Sequence, residues 1–112
     1  MFKYLFLFLL FGHGLIHSLG FLKAFDLTET SQLTGEISKP IGIIWGVVTV
    51  LFMATMTLFY LKDSQWALWA MITVVISQTL IGMAWQDAKF GTFANLIIFT
   101  IALAFYNGWR TF

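Results

Sequence analysis

Charged residues punctuate this chain sparingly and leave long apolar runs between them. From Lys3 to Lys23 there are 19 residues without a charge, and from Lys39 to Lys62 there are 22. From Asp63 to Asp87 there are 23, and from Lys89 to Arg110 there are 20. A bilayer core about 30 Å thick is crossed by roughly 20 apolar residues of helix at about 1.5 Å rise each. All four runs reach that length. Barrel strands would alternate apolar and polar side chains, whereas the run from Ile41 to Met53 is apolar at nearly every consecutive position. The pattern predicts an all-α integral membrane four-helix bundle, one domain over residues 1–112, with spans near 3–22, 40–61, 65–86 and 91–109.

Local signals refine these spans. Ser38 reads as an N-cap, with Pro40 in the first turn of the second helix, where a missing N–H costs nothing. Lys62-Asp63-Ser64-Gln65 is too short for anything but an antiparallel hairpin, and the link from Gln86 to Gly91 is also short. The first connection is longer. Asp26-Leu-Thr-Glu29 resembles a capping box, and Leu27 and Leu33 fit either a short interfacial helix or an ordinary polar loop. The N-terminal run imitates a signal peptide but stays apolar to Leu22 without an Ala-x-Ala-like site, so it reads as an uncleaved first span.

Composition then narrows the chemistry. Charged residues make up 10% of the chain, against about 25% in a typical soluble domain, and 60% of residues are apolar. With no Cys there is no disulfide, thiolate metal site or iron–sulfur cluster. A net charge of +1 without basic runs gives no nucleic-acid surface. Orientation is nearly balanced: Lys3, Lys62 and Arg110 stand on the face with the termini, and Lys23, Lys39 and Lys89 on the other. The N-terminal amine and the opposite excess of acids favour cytoplasmic termini. Tyr4, Tyr60, Trp66, Trp69, Tyr106 and Trp109 read as an interfacial aromatic belt on the terminal face.

Polar residues inside the spans fall at matched depths. His17, Trp45 and Asn95 each lie six residues inward from Lys23, Lys39 and Lys89, about 9 Å deep. His13, Thr49, Ser77 and Gln78 lie nine or ten residues inward from Lys23, Lys39 and Asp87, about 14 Å deep. Unpaired polar groups in hydrocarbon are costly, so these seven face inward and bond one another. Gly42-x-x-x-Gly46 and Gly14-x-x-x-Ser18 supply small residues for close helix contact, within the chain or with a second copy. If the cluster forms a ligand pocket, Lys23, Lys39, Asp87 and Lys89 ring its mouth, with Glu36 beside them.

His13 and His17, four apart, share a helix face as two metal ligands do. A third ligand would have to be Asp87 or Glu36. The intervening Gly-Leu-Ile lacks the general base of a His-Glu-x-x-His motif, and two His on one helix cannot take opposite faces of a haem iron. No serine sits in a nucleophile elbow. No metal and no cofactor are expected, with His13, His17 and Asp87 as the minor alternative.

The segments His13-Gly-Leu-Ile-His17, Gly20-Phe-Leu-Lys-Ala-Phe25, Ser38-Lys-Pro-Ile-Gly42, Ser77-Gln78 and Trp85-Gln-Asp-Ala-Lys-Phe-Gly91 together resemble a family of small bacterial four-span membrane proteins. The Gly20-x-x-Lys23 exit from the first span is more distantly similar to DoxX-like proteins. The resemblance implies an inner-membrane location and brings no catalytic assignment. The sequence therefore favours a non-enzymatic accessory or partner-binding membrane module, alone, as a homo-oligomer or in a larger complex, with the bilayer as its first partner. The alternatives are a small-molecule, lipid or ion site built on His13 and His17, and a metal-dependent membrane enzyme using the same pair.

Overall fold

The computed structural model describes residues 2–25 and 37–108, the Asp87 side chain excepted, and is all-helical over them. There are four long helices, α1 (Phe2–Ala24), α2 (Lys39–Tyr60), α3 (Trp66–Met83) and α5 (Gly91–Tyr106); a turn joins α2 to α3, and the single-turn α4 (Trp85–Ala88) lies between α3 and α5. The capping-box segment from Asp26, Leu27, Leu33 and Glu36, together with Trp109 and Arg110, lies outside the described residues. α1, α2 and α3 are each long and apolar enough to cross a membrane, while α5 is apolar but only 16 residues long.

The helix ends follow local chemistry. At the start of α2 the Ile41 N–H donates to Ser38 Oγ at 3.4 Å, and Pro40 lies in the first turn. Its other end is closed by a Schellman turn. There the Lys62 N–H donates to the Phe59 carbonyl at 3.1 Å and the Asp63 N–H to the Leu58 carbonyl at 2.9 Å. Lys62 holds φ 62°, the left-handed region that glycine usually fills, at a cost of about 1–2 kcal/mol for a residue with a Cβ.

The third span is not continuous to Gln86. α3 stops at Met83, and Ala84 adopts φ −115°, ψ 39°, its N–H shared between the carbonyls of Leu80 and Ile81. No proline forces this break. It redirects the chain through α4, so that Phe90 and Gly91 come back over the face of α1.

α1 packs most extensively against α2, α3 packs against both α2 and α5, and α1 meets α5 only over a short stretch. The first pairing uses the small residues. A Cβ on Gly42 would collide with Ala24, one on Gly20 with the Trp45 indole, and one on Gly14 would come within 2.8 Å of Phe52. The Gly42/Gly46 face is thus taken up by α1 of the same chain.

At the terminal end the core is aromatic, with one ring from each long helix: Phe6, Phe59, Trp66 and Phe105. Phe6 and Phe59 lie edge to face at 4.9 Å, and Trp66 sits 4.9 Å from Phe59 and 5.1 Å from Phe105. Trp66 therefore leaves the expected belt: it is only 2% exposed, whereas Tyr4, Tyr60, Trp69 and Tyr106 are exposed. Leu10, Val48, Phe52, Ala70, Val74 and Ile98 fill the middle. The far end of the core is polar.

Candidate functional site

The polar end is one connected relay across α1, α3 and α5. His13 Nε2–H donates to Asn95 Oδ1 at 2.8 Å. The Asn95 amide donates to Ser77 Oγ at 3.0 Å and to Gln78 Oε1 at 3.0 Å. Ser77 Oγ lies 2.6 Å from His17 Nε2, and the other nitrogen of that ring, Nδ1–H, donates to the His13 carbonyl at 2.8 Å. Gln78 Nε2–H ends the chain on Thr92 Oγ1 at 2.9 Å.

The directions of these bonds assign the tautomers. His17 Nδ1 faces a carbonyl and must carry a hydrogen. With the ring neutral, Nε2 then accepts the Ser77 O–H. Ser77 Oγ keeps a lone pair for the Asn95 amide. The bonds made here are all compatible with neutral imidazoles, so no charge has to be held in the interior.

Five of the seven residues expected in the cluster are joined here: His13, His17, Ser77, Gln78 and Asn95. Trp45 packs against the His17 ring, with centroids 5.3 Å apart, and donates to no partner among the described residues. Thr49 stands apart, its hydroxyl turned back to the Trp45 carbonyl at 3.3 Å. Thr92 is an addition. It sits three residues before Asn95, so it shares that residue's helix face one turn nearer the end, a signal the sequence carried.

Beside the relay is a cavity of about 470 Å³ between α1 and the α4–α5 corner. His13, His17 and Trp45 form its polar wall, and Ile16, Leu19, Ile81, Phe90 and Ala94 its apolar one. Gly91 also lines it, and a Cβ there would come within 3.3 Å of His13 Cε1. Ile16 and Phe90 are exposed, so the cavity opens sideways along the short α1–α5 seam.

The three lysines expected at the mouth are not part of the cavity lining, although Lys89 lies over Phe90, which is. Lys39 sits 5.9 Å from the Phe25 ring centroid and Lys89 5.6 Å from that of Phe90. Lys23 is half-buried on the last turn of α1, and none of the three lines the cavity. The side chain of Asp87 is outside the described residues.

Two nitrogens on this wall are left over. Thr55 Oγ1 is the one fully enclosed side-chain N or O atom without a partner among the described residues. His13 Nδ1 and Trp45 Nε1 have no partner either, yet they are not sealed. Their residues are 6% and 4% exposed, and both line the cavity. In the assigned tautomer His13 Nδ1 is an acceptor, and the indole N–H is a donor.

The Ser77–His17 distance is that of a nucleophile–base pair, but Ser77 is fully buried and does not line the cavity. Its oxygen is already engaged by Asn95, so the pair lacks the access that nucleophilic catalysis needs. No three His, Cys, Asp or Glu side chains converge among the described residues. Both His17 nitrogens are committed to protein partners, so a metal there would have to displace one of them. In comparisons with known proteins, the chain matches no protein-family model, no curated protein and no solved structure.

Proposed function

We propose that this chain is a non-enzymatic integral membrane module that takes a neutral small molecule from the bilayer into the cavity between α1 and α5. Membrane insertion is supported by three helices of spanning length and by large apolar side chains left uncovered along the bundle, such as Phe8, Ile16, Val50, Val75 and Leu96. α5 alone rises only about 24 Å.

One observation carries the binding reading: an unpartnered acceptor, His13 Nδ1, and an unpartnered donor, Trp45 Nε1–H, share the wall of an otherwise apolar cavity. Buried tryptophan N–H groups ordinarily find a partner. Small-molecule sites have this make-up, an apolar volume of about 300–1,000 Å³ with a few placed polar groups. A hydroxyl on an apolar body satisfies both nitrogens, since it donates to one and accepts from the other. The relay behind the wall is the accessory part of the reading. It fixes His13 in its tautomer and holds α1 in register with α3 and α5.

The test compares 1-decanol with decane in purified protein in nanodiscs of zwitterionic lipid, followed by thermal unfolding. Decanol should raise the midpoint more than decane, and Trp45→Phe should remove that difference. Equal responses to the two probes in the wild-type protein would refute the binding site and leave the relay as a structural device alone.

A further inference from the structure

We propose a second binding site at the opposite, aromatic end of the bundle, where Lys3 and Lys62 hold the phosphate of an anionic phospholipid. The proposal rests on the membrane part of the preceding reading and is independent of the cavity beside His13.

A cavity of about 270 Å³ opens there, lined by Lys3, Phe59, Lys62, Trp66 and Phe105. Two cations that lie 59 positions apart in sequence flank one pocket, because α1 and α2 run antiparallel with their ends level. No acidic side chain is among the described residues that line it. Asp63, next in the chain to Lys62, has its Oδ1 engaged by the Gln65 N–H at 2.9 Å. Neither lysine forms an ion pair among the described residues. Lys3 is half-buried, with its ammonium 4.8 Å from the centroid of the neighbouring Tyr60 ring.

The backbone at Lys62 is the second line of argument. This residue occupies the left-handed position of the Schellman turn, which a glycine would fill without strain. The sequence places a lysine there instead, and a residue kept in a disfavoured conformation is a pointer to use. Two lysines lining one aromatic-floored pocket suit a phosphate, which lysine recognises as a point charge. The rings of Phe59, Trp66 and Phe105, with exposed Tyr60, Leu61 and Tyr106 nearby, suit the apolar remainder of a lipid better than a hydrated inorganic ion.

The full chain would be placed in nanodiscs of phosphatidylcholine, with and without phosphatidylglycerol, and its unfolding midpoint measured. Phosphatidylglycerol should raise the midpoint of the wild-type protein. Lys62→Gly should be more stable than wild type in phosphatidylcholine alone, because the turn is relaxed, and yet lose most of the phosphatidylglycerol increment. Lys3→Gln should weaken the apparent lipid affinity roughly fivefold, the effect of one lysine near a membrane surface. Lys62→Arg should retain the increment.

An increment that survives in Lys62→Gly and Lys3→Gln would overturn the site, even with the protein correctly inserted. A parallel arm adds inorganic phosphate to phosphatidylcholine discs at constant ionic strength. A shift there equal to that from phosphatidylglycerol would overturn the lipid assignment, and no shift supports it.

Discussion

The Ser77 hydroxyl and the His17 imidazole meet at 2.6 Å across 60 positions of sequence, and each is fixed from behind by a second bond. His17 is anchored to the His13 carbonyl one turn earlier in α1, and Ser77 receives the Asn95 amide from α5. Removing either member strands a buried polar group, so the relay is more sensitive to single substitutions than its individual bond strengths suggest.

Ser77→Ala should therefore cost about 1–3 kcal/mol, since His17 Nε2 and one Asn95 N–H both lose a buried partner. Reversible unfolding in mixed micelles measures this. A loss below about 0.5 kcal/mol would show that water replaces the hydroxyl.

His13 and Asn95 offer a cleaner measure of one bond. A double-mutant cycle with His13→Ala and Asn95→Ala should give a coupling of about 0.6–1.7 kcal/mol, between the average and the maximum measured for interhelical side-chain bonds in a membrane protein. Additive single effects would mean that the 2.8 Å bond does not hold α1 to α5.

The glycines divide into two groups that should respond oppositely to alanine. Gly42→Ala would drive a methyl into Ala24 across the α1–α2 contact, and overpacking of this kind costs about 1–3 kcal/mol. Gly12 and Gly82 are also in helices but have nothing within 4 Å of a Cβ, so alanine there should be neutral or gain up to about 1 kcal/mol of helix propensity. Melting the three variants side by side reads the difference. A shared sign would contradict the packing described for Gly42.

Thr55 supplies a fourth case. Its Oγ1 is enclosed without a partner, so exchanging the hydroxyl for a methyl in Thr55→Val removes a desolvated polar atom at nearly constant shape. The variant should be at least as stable as wild type. Clear destabilisation would reveal a bound water at this position.

How far the sequence foretold these features depends on what kind of coordinate each one needs. Counting residues inward from the charges gives height along the bundle, and height sufficed to group His13, His17, Ser77, Gln78 and Asn95. It gives no direction around a helix. Thr49 stands at the right height on α2 but back-bonds to Trp45, and Trp66 stands at the height of the belt but points into the core. The lysines expected at a mouth failed to line the cavity for the same reason. The break at Ala84 could not be read from that residue either, because alanine is the best helix former. The cavity itself is bounded largely by Ile16, Leu19, Ile81 and Phe90, which sequence cannot tell from any other lipid-length apolar positions.

The bundle closes unevenly, with a broad α1–α2 face, continuous contact through α3, and a short meeting of α1 with α5. Mechanically it resembles a book, with its spine at the turn that holds Lys62 and its fore-edge at the seam beside the cavity. His13–Asn95 and His17–Ser77 are then the clasp on that edge, since both run from the first cover to the second. In the function proposed above, a guest entering along the edge would slip in next to the clasp, and loosening those two bonds would widen the doorway before it disturbed the spine.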